Sequence, residues 1–210
     1  MRRLVVNADD LGMSDGVNRG IREAHDDGIV TSTSLMVDRP AADAGAALAR
    51  GSRLSVGLHA VLDGVPPEDA ARELERQRAR FEELVGAPPT HVDSHHHLHR
   101  RPALLPAFVA FARRHAIPLR DHSPAVHCGL FYGRWDDESH PEQVSAESLL
   151  AILDQIGDGV TEIGCHPGYA HGLASSYGVE RELELRALAD ARVRRTVEER
   201  EIELIGFGEL

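Results

Sequence analysis

Short apolar runs typical of β-strands alternate with longer segments of helical periodicity along almost the whole 210-residue chain. Strands that alternate with helices form parallel β/α units. Seven such units with no break in composition predict one domain, residues 1–210, folded as an α/β, distorted (β/α) TIM-like barrel with about seven parallel strands. A flat doubly wound sheet is the alternative. The predicted strands cover residues 4–7, 30–37, 54–59, 90–93, 117–120, 160–165 and 202–207.

Helical periodicity fills the segments between these strands, and one long segment has no periodicity at all. Residues 121–145 contain the only tryptophan together with proline, glycine and several histidines. A loop of this length inside a compact domain is usually functional or mobile. The predicted helices cover residues 14–28, 41–49, 68–85, 102–115, 148–156 and 179–200.

The charge balance excludes two classes of partner. The formal net charge is −11, whereas nucleic acids and anionic membranes attract clustered basic residues. No apolar run approaches the length of a membrane span, and the one at the N-terminus is too short for a signal peptide, so we expect a cytoplasmic protein. Cys128 and Cys165 form no disulfide framework and match no zinc motif.

Polar side chains able to do chemistry recur where the predicted strands end. In parallel α/β folds the carboxyl ends of the strands meet at one rim, where active sites lie. Histidine and aspartate suit Zn²⁺ and other divalent ions, so one Asp and two His from three strand ends would form a catalytic metal centre. The residues at the strand ends are Asn7, Asp9, Asp10, His59, Asp93, His95, His96, His97, His99, Arg120, Asp121, His122 and His166. Isolated histidines elsewhere are expected on the surface, namely His25, His91, His115 and His140.

Residues 92–99 hold four of the thirteen histidines and one aspartate. Alternate residues of an extended segment face opposite sides. We therefore expect His95, His97 and His99 to share a side and His96 to turn away from it.

The adjacent pair Asp9 and Asp10 poses a geometric problem. On a regular strand the two side chains would point to opposite faces. Both can serve one site only if the strand unwinds there, which the following Leu11-Gly12 permits; a turn or capping role is the alternative. No G-x-G-x-x-G turn follows the first strand, which disfavours a dinucleotide site.

Five motifs, in this order, resemble the YdjC/ChbG-like carbohydrate deacetylases, and the resemblance runs nearly from end to end. They are Asn-Ala-Asp-Asp-Leu-Gly at 7–12, Gly-Ile-Val-Thr-Ser-Thr-Ser-Leu-Met-Val at 28–37, Val-Gly-Leu-His at 56–59, Asp-Ser-His-His-His-Leu-His at 93–99 and Glu-Ile-Gly-Cys-His-Pro-Gly-Tyr at 162–169. The resemblance implies a barrel related to polysaccharide deacetylases and one divalent metal ion, Mg²⁺ or Zn²⁺. It also implies hydrolysis of an N-acetyl group from a small amino sugar or chitooligosaccharide.

Carried over residue by residue, the resemblance implies a role for each strand-end residue. The implied metal ligands are Asp10, His59 and His95. The implied catalytic residues are Asp9 as base and His166 as general acid. The candidate substrate-binding residues are His97, Arg120, which could orient a site carboxylate, and Trp135, which could stack on a sugar ring.

The chain departs from the family pattern after His59, where it leads almost directly to Pro66-Pro67. Longer family members carry an insertion there that helps form the substrate rim. Two other functions stay open: a metal-dependent hydrolase of the phosphoesterase type, and a non-catalytic sugar-binding protein on the same scaffold. A glycoside hydrolase using Asp9 and Asp10 is disfavoured, since adjacent residues cannot easily flank a bond at roughly 5–9.5 Å separation. Barrels with polar mouths often pair, which favours a homodimer.

Overall fold

A curled sheet of seven strands forms the centre of the protein, described by a computed structural model over residues 1–173 and 175–210. Every strand pair in this sheet is parallel, and the order is β4-β3-β2-β1-β8-β5, with β9 also paired to β1. This half-barrel confirms the predicted fold class. The strands are β1 (Arg2–Leu11), β2 (Ser32–Leu35), β3 (Ser55–Ala60), β4 (Val92–Ser94), β5 (Ala125–Cys128), β8 (Gly159–Cys165) and β9 (Glu203–Leu204), while β6 (Arg134–Trp135) and β7 (Glu138–Ser139) form a separate antiparallel hairpin.

The helices return the chain between the parallel strands, as the alternating pattern predicts. The first begins at Ser14, whose side chain accepts a hydrogen bond from the N–H of Val17. The single helix predicted over 179–200 is instead two helices, because Asp190 caps a second one by accepting from the N–H of Arg192. The helices are α1 (Asp15–Asp26), α2 (Ala42–Arg50), α3 (Ala70–Val85), α4 (Leu105–His115), α5 (Ala146–Leu153), α6 (Val179–Leu188) and α7 (Ala191–Glu199).

The strand predictions fail in two segments, 117–120 beside β4 and 202–207 beside β1. The segment 117–120 contributes only an isolated bridge between Val92 and Leu119, and the strand predicted over 202–207 shortens to two residues. Strand β5 lies in the segment predicted as an irregular loop. It pairs with β8 on one side only, and Val126 is 71% exposed, so β5 lacks the continuous apolar run of a strand buried on both faces.

His91, predicted to lie on the surface, is fully buried instead. Its ring stacks on Phe207 with centroids 4.0 Å apart, and its Nδ1 lies 3.0 Å from the hydroxyl of Thr90. Glycine at position 57 makes the room for this ring, because a Cβ there would lie 2.3 Å from the imidazole. No helix in the described part of the chain is both long enough and apolar enough to cross a membrane.

Candidate active site

Strand β1 carries Asp9 and Asp10 to the same site because the backbone changes conformation at Asp10. This residue is left-handed, with φ 71°, and the pairing of β1 with β2 shifts register between Ala8 and Leu11. A bulge of this kind re-aims a side chain, and aspartate tolerates the left-handed region better than most residues. Each carboxylate thereby comes within 4.8 Å of His59 ligand atoms. The strand is therefore irregular at Asp10, which is the condition under which Asp9 and Asp10 can serve one site.

Asp10, His59 and His95 form a compact group with one ligand atom each, all within 4.8 Å of one another. Oδ1 of Asp10 lies 3.3 Å from Nε2 of His59 and 3.4 Å from Nδ1 of His95. That oxygen is buried and has no hydrogen-bond partner among the residues that the structure describes. A buried acceptor left without a donor is uncommon, and a cation between the three side chains would satisfy it.

The orientation of His59 is set by Asp93 behind it. Nδ1 of His59 lies 2.8 Å from Oδ1 of Asp93, so Nε2 faces Asp10. Burial by itself would lower the pKa of His59, but Asp93 and Asp10 raise it to about 10. A carboxylate that fixes the far nitrogen of a histidine is the usual support of a metal ligand.

The buried charges around this group do not cancel. Four carboxylates face two guanidinium groups. With His59 neutral, as a metal-binding histidine must be, two negative charges remain, which match one divalent cation. Isolated charges are rarely buried without a partner, so the donor set fits the predicted metal ion in chemistry and in charge. The charged groups are Asp9, Asp10, Asp93, Glu162, Arg120 and Arg181, each at most 2% exposed.

Arg120 is fully buried, binds three carboxylates and also lines a cavity, and its contact with substrate stays a prediction. It donates to both oxygens of Asp9 at 2.7 and 2.8 Å and to Glu162 at 2.6 Å, and its Nη2 lies 3.0 Å from Asp93. Burial alone would raise the pKa of Asp9, but the Arg120 guanidinium holds it well below its usual range. Arg120 therefore orients the site carboxylates, the second role that the sequence suggested for it.

His166 follows β8 directly and faces Asp9, with Nε2 3.9 Å from Oδ2. Burial lowers the pKa of His166 to about 4, so its imidazole is neutral at pH 7. Two residues of α6 hold its backbone: Glu184 accepts from its N–H, and Arg181 donates to its carbonyl. Arg181 also donates to Oδ2 of Asp10 at 2.6 Å.

Sequence reasoning missed Glu162, Arg181 and Glu184. The two residues of α6 lie in a segment of alternating Arg and Glu, a pattern typical of solvated helix faces. Glu162 occupies a buried position of β8, next to the apolar residue Ile163. No local signal separates these residues from exposed charges.

The expected alternation of the histidine block is wrong, because the strand ends at Ser94. His96 and His97 adopt left-handed conformations with φ 53° and 50°, which replace the extended geometry with a tight turn. His95 faces Asp10, whereas His96 is 64% exposed and contacts a surface aspartate. One histidine of the block thus joins the candidate metal ligands.

The other two histidines of the block, His97 and His99, occupy different environments. His97 lines a cavity, and its buried Nδ1 has no hydrogen-bond partner in the described part of the chain. His99 is fully buried, with Nδ1 2.7 Å from the Ser94 hydroxyl and Nε2 3.0 Å from Asp121. His99 therefore stabilises the turn, whereas the contact of His97 with substrate stays a prediction.

Two cavities open onto this group. The first, about 440 Å³, reaches Asp9 and His59; the second, about 520 Å³, reaches Asp10 and His95. The residues common to both are His96, Tyr132 and His166. His127, which the sequence did not single out, also lines the first cavity.

Trp135, predicted to contact substrate, is not among the residues that line either cavity. Its ring stacks on His140 with centroids 3.6 Å apart and planes within 1°. The hairpin β6–β7, which contains Trp135, turns the ring toward this histidine.

Known proteins resemble the chain over its whole length. A carbohydrate deacetylase of Geobacillus stearothermophilus is 35% identical over 248 aligned positions, which cover 99% of this chain and 98% of the relative. A chitooligosaccharide deacetylase of Klebsiella pneumoniae is 37% identical and covers 95% of each chain. The alignments span 248 and 240 positions, more than the 210 residues of this chain, so both contain gaps in this chain.

Solved structures show the same fold. A crystal structure from Enterococcus faecalis V583, titled a putative cellobiose-phosphate cleavage protein, has a TM-score of 0.88 at 27% identity, covering 99% of this chain and 98% of that one. A peptidoglycan N-acetylglucosamine deacetylase has a TM-score of 0.65 at 11% identity, covering 97% of this chain and 85% of that one, and shares the fold.

A family model described as YdjC-like protein matches residues 3–67 and 63–199. The two matched stretches overlap at residues 63–67, a few residues after His59. Together the matches cover most of the chain and every motif that carried the resemblance. The chain belongs to the YdjC-like family.

Proposed function

We propose that this protein is a divalent-metal-dependent carbohydrate N-deacetylase acting on a small amino sugar or chitooligosaccharide. The observation that carries the proposal is the unpartnered Oδ1 of Asp10 between His59 and His95, with Asp9 and His166 beside it. The family and the names of its deacetylase relatives support the same activity.

Asp10, His59 and His95 would hold Mg²⁺ or Zn²⁺. When bound, such an ion polarises an acyl carbonyl and lowers the pKa of a nearby water molecule. Asp93 keeps the His59 ring turned toward Asp10, and Arg181 occupies the second oxygen of Asp10. Only Oδ1 of Asp10 is then left for the ion.

Asp9 acts as the base that takes a proton from the attacking water. The two hydrogen bonds from the Arg120 guanidinium keep Asp9 ionised, and the Asn7 amide donates to Oδ1 of Asp9 at 2.8 Å. His166, neutral at pH 7, takes at Nε2 the proton that Asp9 removed from the water, and delivers it to the leaving nitrogen. An amide nitrogen needs this proton, since an amine anion is too poor a leaving group to depart alone.

Acetate release tests the proposal directly. N-acetylglucosamine and its oligomers are incubated with the protein, with chelator, and with chelator followed by Mg²⁺ or Zn²⁺. We expect metal-dependent acetate release that falls by about 10²–10⁴-fold in Asp9→Asn and in His166→Ala. Full activity in Asp9→Asn with unchanged metal content would show that Asp9 is not the base.

A two-metal phosphoesterase is the competing function. A second group of donors, Asp9, His59 and Asp93, lies close enough together to hold an ion. However, the Arg120 guanidinium already binds both carboxylates of that group. A phosphatase assay run beside the acetate assay separates the two activities, and a non-catalytic sugar-binding protein would be inactive in both.

A further inference from the structure

Tyr132 stands between the two cavities and lines both of them. Its side chain is 41% exposed although the residue before it, Phe131, is buried. Its ring lies 5.7 Å from the ring of His166. An exposed aromatic ring beside the proposed general acid needs an explanation, because water-facing aromatic surface of this kind usually marks a binding site.

A second tyrosine fixes the orientation of this ring. Tyr177 stacks on Tyr132 with centroids 5.0 Å apart and planes within 8° of parallel. One face of Tyr132 is thereby covered, so its exposed surface belongs to the opposite face and the rim. A flat apolar face next to open space is well suited to pack against the C–H groups of a sugar ring, which are drawn to the negative face of the π-system.

Tyr177 is itself held in place by polar contacts. Its hydroxyl donates to Glu184 and accepts from the backbone N–H of Gly133 at 3.0 Å. Glu184 also accepts from the backbone N–H of His166. Tyr177, which backs the Tyr132 ring, and the backbone of His166 are therefore held by the same carboxylate. A sugar ring bound on Tyr132 would lie at a defined distance from His166.

We propose that Tyr132, backed by Tyr177, is the aromatic platform on which a pyranose ring of the substrate stacks beside His166. This inference rests on the proposed function and adds a specificity-determining residue to it. It assigns to Tyr132 the stacking role that the sequence suggested for Trp135, whose own ring is engaged with His140.

The test compares Tyr132→Leu with Tyr132→Phe. Leucine keeps apolar bulk but removes the ring, and phenylalanine keeps the ring. Stacking acts on bound substrate before and during reaction, so it contributes to KM more than to kcat. We expect KM for N-acetylglucosamine oligomers to rise about tenfold in Tyr132→Leu with kcat largely retained. Tyr132→Phe should keep the wild-type KM.

Two further substitutions serve as comparisons. Tyr169→Leu makes the same chemical change at a tyrosine that packs on Arg19 and is not among the residues lining the cavities; its KM should not change. Trp135→Leu tests the other candidate platform. A KM rise in Trp135→Leu but not in Tyr132→Leu would overturn the inference.

Calorimetric binding of the glucosamine disaccharide, a fully deacetylated product, separates the platform from the reaction. Weaker binding by Tyr132→Leu than by wild type supports the platform even if the protein releases no acetate, in which case only the proposed function fails. Equal product affinity and equal KM in an active enzyme overturn the platform and leave the proposed function intact. A wild-type protein that neither binds nor deacetylates refutes both.

Discussion

The guanidinium of Arg120 donates two parallel hydrogen bonds to the carboxylate of Asp9, from Nη1 to Oδ2 at 2.7 Å and from Nη2 to Oδ1 at 2.8 Å. The two residues are 111 positions apart in the chain, and each is at most 2% exposed. Paired contacts of this geometry are among the strongest between side chains. The proposed base and the integrity of the barrel rim thus depend on the same ion pair.

Arg120→Met should destabilise the protein by about 3–5 kcal/mol, because it leaves Asp9, Asp93 and Glu162 buried without their cation. Urea unfolding measures the change. Arg72→Met is the matched control: Arg72 is 80% exposed and pairs with nearby Asp69, so its loss should cost less than about 1 kcal/mol. Equal unfolding midpoints for the two variants would contradict the structural role of Arg120.

Neighbouring histidines of one block should differ sharply in metal binding. His95→Ala removes a candidate ligand of the Asp10 group, so bound metal should fall well below one ion per chain in elemental analysis. His96→Ala removes a side chain that is 64% exposed and contacts Asp63 rather than Asp10, and it should leave metal content unchanged. Stoichiometric metal in purified His95→Ala would exclude this ligand set.

Gly57→Ala should destabilise the fold by about 1–3 kcal/mol, the usual cost of overpacking. The added Cβ would lie 2.3 Å from the buried ring of His91. Gly157→Ala is the control, since nothing lies within 4 Å of a Cβ there. The cost of Gly57→Ala should shrink in a His91→Ala background, because the two side chains compete for one space. Additive costs would argue against the clash.

His91 should make stability depend on pH. Burial lowers its pKa from 6.5 to about 4 in the folded protein. Between these values the unfolded chain binds a proton that the folded chain does not. The contribution of His91 is therefore complete above pH 6.5 and is lost as the pH falls toward 4, by roughly 3 kcal/mol.

His91→Leu removes this titration. Urea unfolding of wild type and variant at several pH values between 4 and 7 gives the difference in unfolding free energy, in which the other titrating groups largely cancel. That difference should shift in favour of the variant as the pH falls. A difference that does not change with pH would show that His91 is not buried in its neutral form.

The positions of the candidate site residues could be predicted from the sequence to a large extent. Asp9, Asp10, His59, His95 and His166 each lie at or just after the end of a predicted strand, and the ends of parallel strands must meet at one rim. The alternation of strands and helices likewise predicts the half-barrel, because its physical cause, the burial of apolar residues with a fixed period, is local to each segment.

The orientations and partners of these side chains were decided only by the tertiary structure. The left-handed conformations of Asp10, His96 and His97 overturn the simple alternation of strand faces. The partner of Asp10 lies 171 residues away, at Arg181 in a helix whose other Arg and Glu residues look alike in sequence. A charged residue joins such a site only when folding buries it next to a residue of opposite charge. No short stretch of sequence shows which distant residue will supply that opposite charge.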